Sequence, residues 1–242
     1  MERKISAGSY DLNKWLYGGY EKDVITTVYG PAGSGKTNFC MLVAVSQAKK
    51  GNKVILIDSE GGFSIDRFKQ IAGENYEAIL ENVLILKPTT FNEQQESFER
   101  LLKEIKETKA ISAIMIDSMT MLYRLELADA RGDERRVNEV NSKLASQMRI
   151  LAEIARNKEI PVITTNQVYS EFLRQEDYEE GREKRVFMVG GDIMKYWSKC
   201  IIELQIIPGK RKAILRKHRS LPESEFIFNI VQEGIIKARR FF

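Results

Sequence analysis

Residues 30–37 have the composition of a phosphate-binding loop. They read Gly-Pro-Ala-Gly-Ser-Gly-Lys-Thr and fit the pattern G-x-x-x-x-G-K-[ST] at every defined position. Glycines let successive backbone N–H groups turn toward one phosphate, and a helix that begins at the end of the loop adds its positive dipole end. Lys36 is then expected to reach the β- and γ-phosphates of a nucleotide, and the Thr37 hydroxyl to bind Mg²⁺. The alternative is a chance glycine-rich turn.

Three polar side chains follow apolar runs at positions where they could serve that loop. Asp117 ends the run Ile-Ser-Ala-Ile-Met-Ile, and a carboxylate at the C-terminal end of a parallel strand can hold Mg²⁺ through water. Glu60 follows the run that ends at Asp58 and could polarise an attacking water. Gln167 ends another run, where an amide can contact a γ-phosphate and report its loss. An ordinary polar turn or strand end is the alternative for each of them.

The elements that must position these residues alternate between short apolar runs and helical patterns. Apolar residues at helical spacing predict one helix through Phe98 and Ile105, with Asn92 as its N-cap, and a longer one through Val137 and Ala155. Five β-branched runs scarcely alternate with polar residues and therefore predict buried parallel strands: Val24–Tyr29, Val54–Ile57, Val83–Leu86, Ile111–Ile116 and Val162–Thr165.

The pattern changes after Gly191. Four consecutive strands are predicted there, with turns at Gly209 and Gly234: Cys200–Ile207, Ala213–Leu215, Phe226–Val231 and Ile235–Ile236. The whole order predicts an α/β fold with a mostly parallel sheet, helices on its faces and a C-terminal antiparallel extension.

The composition excludes several classes of protein. The chain has 242 residues, 43% of them apolar, so it can bury a sizeable core and is not a disordered chain. Its two cysteines, Cys40 and Cys200, exclude a disulfide-rich secreted scaffold and are interpreted as core residues. No apolar stretch approaches the ~20 residues of a membrane helix, and the start has no signal-peptide core. We therefore expect a cytoplasmic protein without membrane association. The length allows one large α/β domain or two small ones, and the order of the motifs described next favours a single domain over residues 1–242.

Several motifs, in this order and spacing, resemble those of the RecA-like recombinase family, specifically its archaeal RadA and RadB group. The resemblance covers nearly the whole chain from about Ser6 and implies a RecA-like P-loop ATPase core that uses ATP and Mg²⁺. The matching segments are Tyr29–Thr37, Ile57–Phe63, Ile114–Thr120, Ile163–Val168, Gly190–Gly191 and Leu221–Glu223.

The resemblance also implies roles for individual residues. Glu60 resembles the family's catalytic glutamate, and Gln167 its γ-phosphate switch, which couples nucleotide state to the DNA-binding loops. Arg67 falls where the family places an arginine over the adenine, and a guanidinium stacks well on a base. The candidate catalytic residues are therefore Lys36, Glu60 and Gln167, and the metal-binding residues Thr37 and Asp117. The candidate nucleotide-binding residues are Gly30, Pro31, Ala32, Gly33, Ser34, Gly35, Lys36, Thr37, Asn38 and Arg67.

Two departures from the family pattern affect the expected activity. Only 29 residues precede Gly30, so the small helical DNA-binding domain of the full recombinase and its filament-forming linker are not expected, as in the shorter archaeal paralogues. Lys217 stands where the recombinase has an aspartate that reaches the neighbour's nucleotide. Its ammonium could act like a bound cation, or the contact is lost. Both departures argue against filament formation and against efficient DNA-stimulated hydrolysis.

Three regions are considered for DNA binding. Residues 129–136 match the family's first DNA-facing loop and contain Arg131, Arg135 and Arg136, although Asp133 and Glu134 weaken the positive field. The second loop, about 170–189, holds six acidic and four basic residues. That mixture is a poor phosphate surface and is more typical of a solvated loop.

The C-terminal tract is the strongest of the three. We define the basic tract as residues 210–219, in which no acidic residue interrupts the basic ones: Lys210, Arg211, Lys212, Arg216, Lys217, His218 and Arg219. Residues 208–242 carry nine Lys or Arg and three Glu, a net charge of +6, whereas the whole chain has only +4. Such a local field concentrates polyanions and predicts contacts to phosphates with little sequence specificity. The alternative is that lysines protect an edge strand from pairing.

These inferences converge on one functional hypothesis with two alternatives. The chain is expected to be an ATP-binding and DNA-binding accessory protein of homologous recombination and DNA repair, with weak ATPase activity and little or no strand exchange. Expected partners are single-stranded or branched DNA, with the RadA-type main recombinase, a Holliday-junction resolvase or a second copy of the chain as further candidates. The alternatives are an ATP-dependent strand-exchange recombinase and a RecA-fold regulatory ATPase that acts on proteins.

Overall fold

The computed structural model describes residues 3–108, 110–170 and 186–238. The strands in this part of the chain are β1 (Lys4–Ile5), β2 (Tyr20–Glu21), β3 (Ile25–Tyr29), β4 (Lys53–Asp58), β5 (Val83–Leu86), β6 (Ile111–Asp117), β7 (Val162–Asn166), β8 (Val168–Ser170), β9 (Val186–Met188), β10 (Ser198–Ile207), β11 (Lys210–Lys217), β12 (Ser224–Val231) and β13 (Gly234–Lys237). The helices are α1 (Tyr10–Trp15), α2 (Lys36–Ala48), α3 (Ile65–Ala72), α4 (Tyr76–Leu80), α5 (Phe91–Glu107), α6 (Met121–Asp129), α7 (Glu134–Lys158) and α8 (Gly191–Trp197).

Nine of the described strands form one sheet in the order β13-β12-β11-β10-β3-β7-β6-β4-β5. Every pairing from β10 to β5 is parallel, and the pairings among β10, β11, β12 and β13 are antiparallel. The pairs β1-β2 and β8-β9 are antiparallel and form two separate two-stranded sheets. The predicted mostly parallel sheet with a C-terminal antiparallel extension is confirmed.

The sheet separates two apolar cores because successive side chains of a strand point to opposite faces. In β4, Val54 and Leu56 belong to the core that contains α1, α2 and α3, whereas Ile55 and Ile57 belong to the core under α5, α6, α7 and α8. Burial on both faces explains why the parallel strands read as continuous apolar runs. Cys40 and Cys200 are both buried free thiols, as expected for core residues.

The predicted buried faces of α5 and α7 are confirmed, but the predicted N-cap residue of α5 is wrong. The stripe from Val140 to Ala155 is buried along α7. The N-cap of α5 is Thr90, not Asn92, which lies inside the first turn. The Thr90 hydroxyl accepts a hydrogen bond from the Glu93 N–H (3.1 Å), and the Glu93 carboxylate accepts from the Thr89 N–H (2.7 Å). Thr90 thus satisfies a free N–H of the first helical turn, while the Glu93 carboxylate reaches back to the residue before the cap, an arrangement close to a capping box.

The register brings the predicted site residues to one edge of the sheet. Asp58 at the end of β4 pairs with Asp117 at the end of β6, and Tyr29 at the end of β3 pairs with Asn166 at the end of β7. Parallel strands place their carboxyl ends at one edge, where ligands of open α/β sheets bind. We call this the nucleotide edge.

No helix in the described ranges is both long and apolar enough to cross a membrane.

Candidate nucleotide-binding site

The phosphate loop connects β3 to α2 at the centre of the sheet, and its glycines are required by its geometry. Gly35 has a φ of +105°, a left-handed conformation that L side chains rarely adopt, and it is the N-cap residue of α2. A Cβ on Gly30 would lie 2.5 Å from the Leu204 carbonyl oxygen, so β10 approaches too closely for any side chain. The loop therefore leads directly into a helix that begins at Lys36, as an anion site at a helix N-terminus requires.

Lys36 is buried over this loop rather than extended into solvent. Its Nζ donates hydrogen bonds to the carbonyl oxygens of Gly30 and Pro31, each at 3.1 Å. Burial lowers the pKa of Lys36, and the nearby carboxylates of Glu60 and Asp117 oppose that shift. Its partners for direct hydrogen bonding are neutral carbonyls, so an anion bound in the loop would give the ammonium a stronger partner.

Ser34 gives a second indication that the loop fits a phosphate. Its hydroxyl oxygen is buried and has no hydrogen-bond partner among the described residues. Buried polar atoms are normally satisfied. A nucleotide phosphate would supply acceptors to both the Ser34 hydroxyl and the Lys36 ammonium.

The Asp117 carboxylate lies beside the Thr37 hydroxyl at the start of α2. It accepts hydrogen bonds from the hydroxyls of Thr37 and Thr165. Burial raises the pKa of Asp117, the two hydroxyl bonds lower it, and the nearby carboxylates Glu60 and Asp58 raise it further. A cation beside this carboxylate would relieve the cost of burying its charge.

Gly62 keeps the space next to these oxygens open. A Cβ at this position would lie 3.1 Å from Thr37 Oγ1 and 3.7 Å from Asp117 Oδ2. Within the described ranges no group of three or more His, Cys, Asp or Glu could hold a metal by itself. The donors present suit Mg²⁺, which typically binds one or two protein oxygens together with substrate phosphates.

Glu60 and Gln167 meet at the same edge. The Gln167 side-chain amide donates a hydrogen bond to Glu60 Oε1 at 2.8 Å, across 107 residues of sequence. The Glu60 backbone N–H donates to the Asp117 carbonyl oxygen (3.1 Å), which ties the segment after β4 to the end of β6. Two residues that follow separate strands are therefore in direct contact.

Asp58 is a supporting residue that the sequence interpretation did not assign. Its buried carboxylate accepts hydrogen bonds from the backbone N–H groups of Gly62 and Phe63, each at 3.0 Å. These bonds close the turn that carries Glu60. The signal was present in the sequence, because an aspartate at a strand end before two glycines is typical of such a turn.

Arg67 and Asn38 lie together at the side of the site. Arg67 Nε donates to Asn38 Oδ1 at 2.8 Å, and Arg67 Nη1 donates to the carbonyl oxygen of Gln232 at 3.0 Å. Burial lowers the pKa of Arg67, and Glu233 opposes that shift. The guanidinium plane is thus held between the first turn of α2 and the turn that joins β12 to β13.

Arg211 contacts the phosphate loop, although the sequence grouped it with the basic tract. Its Nε donates a hydrogen bond to the carbonyl oxygen of Gly33 at 3.1 Å. A Cβ on Gly35 would lie 2.9 Å from Ile230 Cδ1 and 3.8 Å from Arg211 Cδ. The C-terminal strands therefore pack directly against the loop. No sequence pattern pointed to this contact, which joins residues 178 positions apart.

Four other cations of the basic tract are held by carboxylates or carbonyls from elsewhere in the chain: Lys212, Arg216, Lys217 and Arg219. Arg216 pairs with Glu203 (2.6 Å) and Glu223 (2.9 Å), and Lys212 pairs with Glu225 (3.1 Å). Lys210 also has a partner.

The end of the tract is engaged in the same way. Arg219 pairs with Glu21 and Asp23, both at 2.8 Å, and Lys217 Nζ donates to the Lys195 carbonyl oxygen at 2.8 Å. The His218 side chain is only 3% exposed. Sequence counting found no acidic residue within the tract, but the fold supplies acids from neighbouring strands and turns.

The first predicted DNA loop is shorter than its sequence window. Of residues 129–136, Asp129 ends α6, and Arg135 and Arg136 lie in the first turn of α7, so residues 130–133 alone connect the two helices. The Asp133 carboxylate caps α7 by accepting from the N–H groups of both arginines, at 3.0 and 3.2 Å. Arg131, Arg135 and Arg136 are exposed. Most of the second loop, residues 171–185, lies outside the described residues.

Comparisons with known proteins agree with this geometry. A family model described as Rad51 matches residues 3–238. A protein of Methanobrevibacter smithii named "DNA repair and recombination protein RadB" is 41% identical over 229 residues, which cover 93% of this chain and 92% of that protein. The protein of the same name from Methanocaldococcus jannaschii is 40% identical over 93% of this chain and 98% of its own length. A solved structure titled "Crystal structure of the RadB recombinase" superposes with a TM-score of 0.77 at 31% identity, covering 97% of this chain and all of the other.

Proposed function

Because the chain belongs to the Rad51 family, we propose that it is an ATP-binding and DNA-binding accessory protein of homologous recombination and DNA repair. The family match also confirms the resemblance to RecA-like recombinases that the sequence motifs carried, and the RadB relatives place it near the short archaeal paralogues. We further propose that residues 1–242 act as a single RecA-like ATPase core.

The observation that carries the nucleotide part is the convergence of separate motifs at the nucleotide edge. Lys36 and Ser34 offer donors to phosphates, Thr37 and Asp117 offer oxygens to Mg²⁺, and Gln167 contacts Glu60. These residues come from α2, its preceding loop, and the ends of β4, β6 and β7. A structural role alone would not require two buried charges whose hydrogen-bond partners are neutral groups.

The proposed chemistry is hydrolysis of ATP at this edge. Bound ATP with Mg²⁺ supplies the phosphoryl group and the charge that Lys36 and Asp117 complement. Lys36 exchanges its bonds to the Gly30 and Pro31 carbonyls for phosphate oxygens. Glu60 accepts a proton from the attacking water and Gln167 responds to the γ-phosphate, so their mutual hydrogen bond must open or rearrange during turnover.

Two features favour weak hydrolysis and little strand exchange. The contact between Gln167 and Glu60 occupies one carboxylate oxygen of the proposed base. Lys217, at the position where the resemblance expects an aspartate, donates to the Lys195 carbonyl. A cation at that position cannot make the carboxylate contact by which a neighbour would complete the site.

The DNA part of the proposal is carried by family membership. We propose single-stranded or branched DNA as the ligand, recognised with low sequence specificity. The RadA-type main recombinase and a Holliday-junction resolvase are proposed protein partners, and a homodimer the proposed assembly.

The decisive experiment has two parts. Fluorescent ATP titration should give an affinity about 10- to 150-fold weaker for Lys36→Ala, because a hydrogen bond from a charged donor is worth about 1.5–3 kcal/mol. The thermal melting temperature of Lys36→Ala should stay near that of the wild type, since the relieved cost of burying the ammonium offsets its lost attraction to Glu60 and Asp117. Retained ATP affinity would reject the role of the loop.

A strand-exchange assay with ATP, run beside filament imaging, tests the accessory role. The expected result is DNA binding without joint molecules. Robust joint-molecule formation would establish a strand-exchange recombinase instead. Absence of any DNA binding, together with ATP-dependent binding of a protein, would establish the regulatory ATPase.

A further inference from the structure

Two adjoining cavities lie at the amino ends of the central strands. One has a volume of about 810 Å³ and the other of about 210 Å³, and both are lined by Asp23, Arg156 and Arg219. We call them together the amino-end groove. The smaller cavity borders Ile25, where β3 begins, whereas the phosphate loop follows Tyr29, where β3 ends. At about 3.3 Å of rise per residue, the groove and the loop lie about 13 Å apart at opposite ends of the strand.

Arg219 neutralises the acidic side of this groove. Its two terminal nitrogens donate to the two carboxylate oxygens of Asp23 at 3.0 and 2.8 Å, and its Nε lies 2.8 Å from Glu21 Oε2. One guanidinium therefore engages two of the three carboxylates that line the groove. The third is Glu159, which follows the end of α7.

The other cations of the groove have no carboxylate partner among the described residues. Arg3, Lys22 and Arg156 make no side-chain hydrogen bond or ion pair within the described ranges. The Lys199 ammonium lies 5.9 Å from the centroid of the Tyr196 ring, and no carboxylate within the described ranges pairs with it. The groove thus presents four cations that no described carboxylate pairs with, whereas Lys212, Arg216 and Arg219 of the basic tract each pair with one or two carboxylates.

We propose that the amino-end groove binds the phosphate backbone of DNA. This inference rests on the proposed DNA-binding function and deepens it by giving the ligand a surface apart from the nucleotide edge. The four cations come from the segment before β1, the turn after β2, the last turns of α7 and the start of β10. Cations distributed over separate elements match a repeating polyanion better than one phosphate group. Contacts to phosphates carry no sequence information, so binding is indifferent to sequence.

The test compares two double variants of equal charge. Arg156→Gln with Lys199→Gln removes two groove cations, and Arg149→Gln with Lys103→Gln removes two exposed helix cations away from it. Fluorescence anisotropy with a labelled oligonucleotide over a salt series gives affinity and salt dependence. Two lost phosphate contacts should reduce the slope of log K against log salt by about 1.4 for a single strand or 1.8 for a duplex. At 0.1 M salt this corresponds to about 20- to 60-fold weaker binding.

Each outcome either supports or overturns the assignment of DNA binding to the amino-end groove. A groove variant that loses affinity and slope while the control keeps both supports the proposal. Equal behaviour of the two variants, with intact wild-type binding, overturns the groove but leaves the proposed function standing. A wild type that binds no DNA at all overturns both.

A separate titration distinguishes DNA from a small phosphate ligand. Inorganic pyrophosphate is added to Lys36→Ala, in which the phosphate loop is disabled, and to the same variant with the two groove substitutions. No binding at micromolar concentrations is expected in either. Tight pyrophosphate binding that depends on the groove cations would identify a small-ligand site and overturn the DNA assignment.

Discussion

The nucleotide edge and the basic tract both contain several charged side chains, but these side chains have different kinds of hydrogen-bond and ion-pair partners. At the nucleotide edge Lys36 and Asp117 are buried, and their hydrogen bonds go to carbonyls and hydroxyls. In the basic tract Arg216 and Arg219 lie at the surface and each pairs with two carboxylates. The first region carries charge without direct counter-charge, whereas Lys212, Arg216 and Arg219 of the second already pair with carboxylates.

This difference indicates where binding capacity lies. A buried charge with neutral partners gains when an oppositely charged ligand arrives, since the cost of its desolvation is already present in the folded protein. An exposed ion pair must first be broken before its cation can bind a ligand, and the net gain in free energy from such an exchange is small. A dense run of cations in a sequence is therefore a weaker indicator of a ligand site than a few buried charges whose direct hydrogen-bond partners are neutral groups.

The strongest test of the nucleotide edge is the substitution Glu60→Gln. It should lower the rate of ATP hydrolysis about 10²- to 10⁴-fold, the usual contribution of a positioned general base. ATP affinity should change less than threefold, because the amide still reaches Gln167. Single-turnover release of labelled phosphate measures the rate and fluorescent ATP titration the affinity. Glu99→Gln, exposed on α5, is the control, and an unchanged rate in Glu60→Gln would remove Glu60 from the chemistry.

Much of the nucleotide edge could be predicted from the sequence because its geometry is local. The spacing within residues 30–37 defines the loop, and the runs ending near Asp58, Asp117 and Asn166 place their following residues at one sheet edge. The same reasoning predicted the five parallel strands that alternate with helices, the later antiparallel strands and the buried face of α7. Each of these rests on the periodicity of one segment or on the general topology of parallel sheets.

The partners of the basic tract could not be predicted in this way. Arg219 lies 196 residues from Asp23, and Arg211 lies 178 residues from Gly33. No periodicity links residues so far apart, and their contacts depend on the packing of the whole sheet. A count of charges along residues 210–219 therefore gave the density of basic residues but could not show which of them pair with carboxylates in the fold.

Two adjacent residues of β11 allow a direct comparison of the two regions. Arg211 contacts the phosphate loop, whereas Lys212 pairs with a carboxylate at the surface. Arg211→Gln should weaken ATP binding about 2- to 12-fold, the value of one hydrogen bond of about 0.5–1.5 kcal/mol to the Gly33 carbonyl. Lys212→Gln breaks only the exposed pair with Glu225 and should leave ATP affinity within twofold. Isothermal titration of ATP with both variants measures the difference. Equal losses would mean that the charge of the strand, and not the loop contact, governs affinity.

The smallest expected effect concerns His218 and the stability of the tract. Burial lowers its pKa, as do Lys4 and Arg219, while Glu21, whose Oε2 lies 3.7 Å from His218 Nε2, opposes them. Nδ1 accepts hydrogen bonds from the N–H groups of Ser220 (3.1 Å) and Leu221 (3.2 Å), so protonation at that nitrogen would break both.

The sign of the pH dependence follows from this lowered pKa. Just below about pH 6.5, the usual pKa of a histidine in an unfolded chain, the unfolded chain binds a proton at His218 that the folded chain does not bind. The stability contributed by neutral His218 is therefore complete above about pH 6.5 and is lost as the pH falls below that value. Urea unfolding from pH 7 to pH 5 should show a free energy that declines more steeply for the wild type than for His218→Asn. The difference in slope is at most about 1.4 kcal/mol per pH unit, the value for one proton. Parallel curves would mean that His218 titrates normally, and the tract would then gain a positive charge on acidification instead of losing stability.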